Sequence, residues 1–416
     1  AAGHVVLRKD RKSTALSRRF TSTSLKERRF KPFYFKILMF HALLKTKGKT
    51  FLPKKALNFV IRKLINLTLC EIEKPIRNVG NHKSFDSFTE FQIDNMFRCR
   101  REHLPLLLQG FRLTDRFYRA DNGSLFSNEE ILMIGLARYS TSGAITRTMT
   151  LFEKDFTQIS RAFTIFNKYL LQNCVHLITD NWHTWQPKLP DFAEAYGNKM
   201  VELSGLNEFS QTSISCLFDC TVIQISRPCA TPLEGAGPDA GPNNYIQMAF
   251  YNGWKHHHGI KYLSVEAPNG LCMYLYGPRS FKDSDLRLLR ESDLNNTLAN
   301  LQLGNPDQYC AYGDGIFPIR SNLRSRNIFR PTPLEVHERR LMTKIRVSNE
   351  WGYACTANLF PFVKNKSFQK IRQNKTCIYN YAVATLLRNA YVCLYENQIS
   401  AYFNCPPPTF EEYFQI

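Results

Sequence analysis

No two cysteines of this 416-residue chain form a CxxC pair, and its 12 cysteines are scattered. At about 3% of residues they fall well short of the density of a disulfide scaffold, so a small stapled fold is excluded. Cys216 and Cys220 have a metal-like separation, but their segment reads as a strand. There, residues four apart point the same way with no turn to close a site, so they are expected to be core thiols in a reducing compartment. Long apolar runs are missing too. ILMFHALL (37–44), the longest in the first part of the chain, is far below the roughly 20 residues a bilayer demands, and no transmembrane segment is expected. No signal peptide is recognisable, so the sequons at Asn66, Asn122, Asn295, Asn365 and Asn374 carry little weight. Acidic residues are scarce as well, with 35 Asp and Glu against 55 Lys and Arg.

What the chain does have is a large apolar complement. It is 44% hydrophobic and 13% aromatic, which excludes a disordered protein and suits two domains plus an appendage. The formal charge of +20 is uneven: up to Arg77 there are 20 Lys and Arg and only 4 Asp and Glu. Blocks such as RKDRK (8–12), KERRFK (26–31) and KTKGKTFLPKK (45–55) read as a phosphate-binding or nuclear-import arm, the bland alternative being a solvated tail.

Periodicity divides the chain into a basic extension (1–87, poorly ordered, with one helix near 52–69), a helical domain (88–205) and a strand-rich domain (206–416). Helices are expected over 88–111, 127–141 and 155–178, the second opened by a Ser127/Glu130 capping box. The small-residue break at Ser142-Gly143-Ala144 gives 129–170 the outline of a helix-turn-helix, with Thr157, Gln158, Ser160 and Arg161 opening a recognition helix. In an ordinary bundle the same residues would be surface, and Ile159, Phe163 and Phe166 would be core in either case. Strands follow at 213–226, 245–252, 261–268 and 271–277, the last two joined by Asn269-Gly270 in the form of a type I′ turn. A helix at 283–298, a strand at 308–314, a helix carrying Glu350 and a closing helix at 379–397 complete an α/β pattern: a mixed sheet flanked by helices, preceded by an all-α, helix-turn-helix-like domain.

Three acids stand in apolar settings within that pattern: Asp219 in SCLFDCTVIQIS, Asp314 in YCAYGDGIFPI and Glu350 in KIRVSNEWGY. A carboxylate in such a run costs several kcal/mol unless something neutralises it, so three of them ask for a shared cation. Their separations are too wide for a loop chelate, and the fold must gather them. Asp219 is expected in mid-strand, Asp314 at a strand end and Glu350 on a helix. Mg²⁺, with Mn²⁺ as a substitute, suits an all-carboxylate set because it seeks hard oxygen donors and takes phosphate oxygens as ligands. A two-metal site of this kind activates a water or 3′-hydroxyl and stabilises the leaving oxygen. Any one Asp taken alone would be read as a structural carboxylate. Arg320, Arg324, Arg326, Arg330, Arg339, Arg340, Lys344 and Arg346 lie between the second and third acids and suggest a groove for a nucleic-acid backbone.

From about Phe88 onward the chain resembles the PIF/Harbinger DDE transposases and their domesticated nuclease-like relatives. The resemblance rests on ordered blocks: MFRCRREHLPLLLQGF; DCTVIQISRP; YNGWKHHHGIKYLSVEAPNG; GPRSFKDSDLRLLRES; YGDGIFP; IRVSNEWGYACTANLF; and a closing LLRNAYVCLYENQISAYFNCPPPTFEEYF. It implies an RNase H-like fold, a catalytic and metal-binding triad of Asp219, Asp314 and Glu350, and cutting and joining of double-stranded DNA at transposon ends. It further implies subsidiary, DNA-facing roles for Lys255 and His258, a role for Asp283, a separate Myb-like DNA-binding partner, homo-oligomers on DNA, and the nucleus as the place of work. Two departures stand out. Lys282-Asp283 replaces the usual His-Asp pair, and Phe218 and Cys220 replace the glycines that usually flank the first acid. The rival reading is a domesticated, catalytically silent DNA- or protein-binding module.

Overall fold

A computed structural model of the chain describes residues 82–228, 245–303, 308–325, 330–371 and 377–416. The basic extension up to residue 81, the helix expected near 52–69, most of the Pro/Gly-rich loop before residue 245 and Arg326 lie outside the described residues.

The stretch 88–111 is not one helix. Short turns at Phe85–Ser87, Glu90–Gln92, Ile93–Phe97 and Arg101–His103 precede a helical piece at Leu104–Gly110. The first run stops where Arg98 takes φ 58°, a left-handed conformation that no helix propagates, and Pro105 opens the last piece. A small antiparallel hairpin follows, β1 (Phe117–Arg119) with β2 (Leu125–Ser127), turning at Gly123 with φ 90°. The region before residue 206 is therefore not all-α; three-residue strands are too short for periodicity to reveal.

Four longer helices come next: α1 (Asn128–Tyr139), α2 (Thr146–Phe152), α3 (Phe156–Asn173) and α4 (Leu189–Ser204). The first three match the outline expected for 129–170, with Ile159, Phe163 and Phe166 buried. Ser127 Oγ accepts from the Glu130 amide at 3.2 Å, but the return half of the capping box is absent. The fully buried Glu130 carboxylate instead takes His82 Nδ1 at 2.8 Å, the Lys83 amide at 3.1 Å and Lys154 Nζ at 2.9 Å, tying residues 82–83 to α1.

The main sheet contains β3 (Ile214–Gln224), β4 (Tyr251–Asn252), β5 (His257–Glu266), β6 (Cys272–Ser280), β7 (Cys310–Gly313) and β8 (Leu323–Ser325). Its order is β6, β5, β3, β7, β8, with β4 on the outer end of β5. β3 pairs antiparallel with β5, and β5 with β6; β3 with β7 and β7 with β8 are parallel. Residues 245–252, expected as a strand, are a helix at Tyr245–Phe250 with only Tyr251 and Asn252 extended, the ambiguity that short apolar runs always carry. The β5–β6 connection is also not a type I′ turn. Gly270 donates to the Ala267 carbonyl at 3.1 Å, Pro268 stands at the second turn position, and only Gly270 (φ 82°) is left-handed while Asn269 is not. That is a longer loop built on a type I turn followed by a left-handed glycine.

Helices α5 (Asp285–Glu291) and α6 (Leu294–Leu301) replace the single helix expected over 283–298, the break falling at left-handed Asp293. Then come α7 (Pro333–Ile345), α8 (Val347–Leu359) and α9 (Asn380–Tyr395). α8 and α9 cover one face of the sheet, bonded to it through Tyr353 and Arg388; α5 meets the other face through a 2.8 Å Lys261–Asp285 ion pair. The molecule is thus a mixed α/β fold whose sheet is flanked by helices, as expected. One continuous core joins Phe111, Ile134 and Phe166 to Leu263, Val265 and Leu386, so residue 206 marks a change of element type within shared packing.

Candidate active site

β3 is apolar and β-branched for most of its length, which makes it the central strand and places Asp219 in its middle. Asp219 lies directly across from Ser264 of β5, and the two share the face that α8 covers. Asp314 follows the last residue of β7, the strand parallel to β3 on its other side, so the carboxyl end of β7 stands level with the middle of β3, where Asp219 lies. Their backbones sit close because Phe218 and Gly313 fit together. A Cβ at Gly313 would stand 2.4 Å from the Phe218 ring, and that ring also packs on Phe317, three residues past Asp314, at 4.8 Å between centroids. The unusual Phe218 beside the first acid is accommodated by a glycine beside the second. Gly313→Ala is expected to push the ring off its contact and destabilise the fold by about 1–3 kcal/mol, measured by denaturant unfolding; an unchanged midpoint would show that the strands do not need this fit.

One guanidinium joins the two acids. Arg346 Nη1 donates to Asp314 Oδ1 at 3.0 Å and Nη2 to Asp219 Oδ2 at 3.3 Å. Each carboxylate also accepts from the next backbone amide, Asp219 from Cys220 and Asp314 from Gly315, both at 2.7 Å. Burial pushes the Asp219 carboxyl above its usual value, while the Cys220 amide and then Arg346 pull it down and Asp314 and Asp285 push it back up. Burial is the largest of these influences, and it leaves the Asp219 carboxyl above its usual value even with Arg346 in place.

Glu350 lies in the first turn of α8 and its side chain is exposed. Its position is bracketed. Arg346, four residues before, touches Asp219 and Asp314; Tyr353, three residues after, bonds Ser264 Oγ at 2.9 Å. Spacings of three and four place Glu350 on the helix face that also carries Arg346 and Tyr353. The Glu350 carboxylate makes no side-chain hydrogen bond or ion pair among the described residues. The structure thus joins Asp219 with Asp314 and leaves the Glu350 carboxylate outside that contact, and among the described residues no three His, Cys, Asp or Glu side chains form a ready metal cage. Asn349, next to Glu350 in the chain, is 1% exposed, and among the described residues neither its amide atoms nor the buried Arg346 Nε finds a hydrogen-bond partner. Two partly exposed carboxylates that share one guanidinium offer the hard oxygen donors that fit a hydrated divalent cation.

The other expected site residues fall elsewhere. Thr157 is exposed at the start of α3; Gln158 spends its side chain on capping, accepting from the Asp155 amide at 3.1 Å; Arg161 is half-buried. α3 packs against α1, α2 and α9. Lys255 and His258 lie at the outer end of β5. Lys255 is exposed; burial, then Arg227 and His257, holds the His258 imidazole below its usual value, which leaves it uncharged at neutral pH. Arg320 is exposed after the Asp314 turn, and Arg324 on β8 faces Glu338 at 3.9 Å. Asp283 is engaged by Arg279 and Arg287. The ten described cysteines are free, as expected; burial pushes the Cys216 thiol up to about 12.

Sequence reading passed over Trp254. It is 86% exposed at the turn between β4 and β5, its amide and that of Lys255 each donating to Asn252 Oδ1 at 3.0 Å. The signal lay in the sequence as a tryptophan set between Gly253 and a Lys-His-His-His run.

No curated protein and no solved structure matches the chain. A family model does: residues 218–389 match that of the DDE superfamily endonucleases. The matched span opens one residue before Asp219, includes Asp314 and Glu350, and ends one residue after Arg388, so that superfamily is what the sheet and its acids support.

Proposed function

We propose that the chain is a transposase-like DNA endonuclease of the PIF/Harbinger type, built on an RNase H-like sheet, with Asp219, Asp314 and Glu350 as its catalytic carboxylates. The observation that carries this reading is the shared cationic partner of Asp219 and Asp314, two acids that are 95 residues apart in the chain. Asp219 and Asp314 would hold Mg²⁺ (or Mn²⁺), with Glu350 approaching from α8. When bound, such ions lower the pKa of a water or 3′-hydroxyl nucleophile and neutralise charge on the leaving oxygen. The chain's own contribution is placement. The parallel β3–β7 pair fixes the first two carboxylates, α8 carries the third along the same face, and the Gly315 and Cys220 amides orient the acids.

The substrate on this reading is double-stranded DNA, with a Myb-like protein supplying site recognition, homo-oligomers forming on the DNA ends and the nucleus as location. Its test is cleavage of DNA from the flanks of the encoding locus, with and without a Myb-like partner, in Mg²⁺ or EDTA. Strand breaks that need the divalent ion support the reading; binding without breaks in either condition favours the silent DNA-binding module.

The Trp254 turn extends this DNA surface. His257 is seven residues from Ser264, the cross-strand neighbour of Asp219, which puts the turn about 23 Å along the sheet from that acid, or roughly seven base pairs of duplex. An exposed indole beside Lys255 is suited to stack on a base or sugar while the ammonium meets phosphate. Trp254→Ala is expected to weaken DNA binding about ten-fold at fixed salt, read by fluorescence anisotropy, without altering thermal stability. Unchanged affinity would remove Trp254 from the interface.

A further inference from the structure

Resting on the metal-dependent reading above, we propose that Arg346 is a stand-in cation: its guanidinium holds Asp219 and Asp314 together until a divalent ion enters, and the ion displaces it. Three observations converge on this. The guanidinium spends one nitrogen on each acid, at 3.0 and 3.3 Å, instead of forming a two-pronged pair with either. Such single contacts are weaker than a fork-to-fork pair and can be exchanged one at a time. The third nitrogen, Nε, is buried and finds no partner among the described residues, so this position leaves the arginine incompletely satisfied there. The site is also open enough for exchange: side-chain exposures are 19% for Arg346, 28% for Asp219 and 41% for Asp314.

The fold offers a sharp contrast. Arg388 and Glu266, 1% and 5% exposed, form a pair that nothing from solvent can enter. Arg346 instead stands at the cap between α7 and α8, where side-chain rotation suffices to turn it toward solvent and no helix need move. A small, doubly charged ion replaces one delocalised charge with two and brings its own water, which suits two carboxylates that share a single guanidinium. Once released, the guanidinium remains next to the acids as a donor for a DNA phosphate, with five N–H groups suited to that anion. The arginine therefore prevents repulsion between Asp219 and Asp314 in the ion-free protein and keeps their geometry ready. It also sets the affinity with which an ion is admitted.

The test compares the wild-type chain with Arg346→Gln in two measurements that do not depend on cleavage. Mn²⁺ binding is followed by electron paramagnetic resonance, and thermal unfolding is recorded in EDTA and in saturating Ca²⁺. Removing a competing unit charge is expected to tighten Mn²⁺ binding by at least about ten-fold. In EDTA the variant melts below wild type, because Asp219 and Asp314 then lose the cation they share. In Ca²⁺ that gap closes, as linkage requires if the ion binds the variant more tightly. Arg346→Lys falls between the two. A melting deficit of equal size in both conditions makes Arg346 a fixed structural contact and overturns the proposal, as does weaker or unchanged Mn²⁺ affinity in the variant. Failure of Mn²⁺ to bind either protein overturns the metal-dependent function itself, and the proposal with it.

Discussion

Glu350→Gln is expected to abolish divalent-ion-dependent DNA strand cleavage, by a thousand-fold or more, roughly 4 kcal/mol of transition-state stabilisation, while DNA affinity and melting temperature stay near wild type. The structure makes this the cleanest of the three carboxylate tests. The Glu350 side chain is exposed and bonded to no other side chain among the described residues, so its loss cannot act through the fold. Asp219→Asn and Asp314→Asn should be as inactive, but each also removes one contact of Arg346 and so changes stability too. Cleavage rates with supercoiled and terminal-fragment DNA in Mg²⁺, set beside anisotropy titrations in Ca²⁺, separate catalysis from binding. Full activity in any of the three variants would sink the triad, since two-metal chemistry has no surplus carboxylate to give up.

The second large effect is structural. Arg388→Met is expected to destabilise the protein by about 3–5 kcal/mol, because it strands the Glu266 carboxylate in the core. Arg388 Nη2 donates to Glu266 Oε2 at 2.9 Å and Nη1 to the Gly352 carbonyl of α8 at 3.1 Å. Burial, the largest single influence, would lower the arginine's pKa; Glu266 first, and then Cys272, Cys355 and Tyr381, together outweigh it and hold the guanidinium above its usual value. Neighbouring Asn389 ties α9 to β6, accepting from the Cys272 amide at 3.0 Å and donating to its carbonyl at 2.9 Å. The pair is thus the peg that fixes α8, and with it Glu350, over the face of β5. At about 1 °C per kcal/mol for a chain of this size, calorimetry should register a drop of roughly 3–6 °C. Pairing Arg388→Met with Glu266→Leu removes both charges and should recover most of the loss. A single variant that melts within a degree or two of wild type would show that water reaches Glu266 and that the pair does not fix α8.

The sequence alone determined what is local or strongly periodic. β3 was legible because a run of apolar and β-branched residues bounded by Ser and Pro has few other uses, and α3 because its apolar residues recur at helical spacing. Asp219 stood out for the same reason, since a carboxylate inside such a run is an anomaly that solvation energy makes visible, whereas Glu350, read the same way, is exposed. Where local signals were weak or contradictory, reading failed. Left-handed backbone at Arg98 and Asp293 breaks helices that composition would continue, and neither residue type announces that conformation. The three-residue strands β1 and β2 are shorter than any window that detects alternation, and 245–252 shows how a short apolar run fits a helix as well as a strand. The Ser127 capping box was half made because Glu130 found His82 and Lys154, partners set by tertiary approach.

Only the tertiary structure decided how the acids relate to one another. Parallel pairing of β3 with β7 brings together residues far apart in sequence, and the register depends on Phe218 finding a glycine, Gly313, on the next strand. That Arg346 grips Asp219 and Asp314, and that Arg388 and Glu266 lock α8 above them, follows from distances no spacing rule contains. The physical reason is range. Hydration and backbone preference act on each residue where it stands in the chain, so they are written in sequence order; ion pairs and strand register act across space and exist only after the chain has closed on itself.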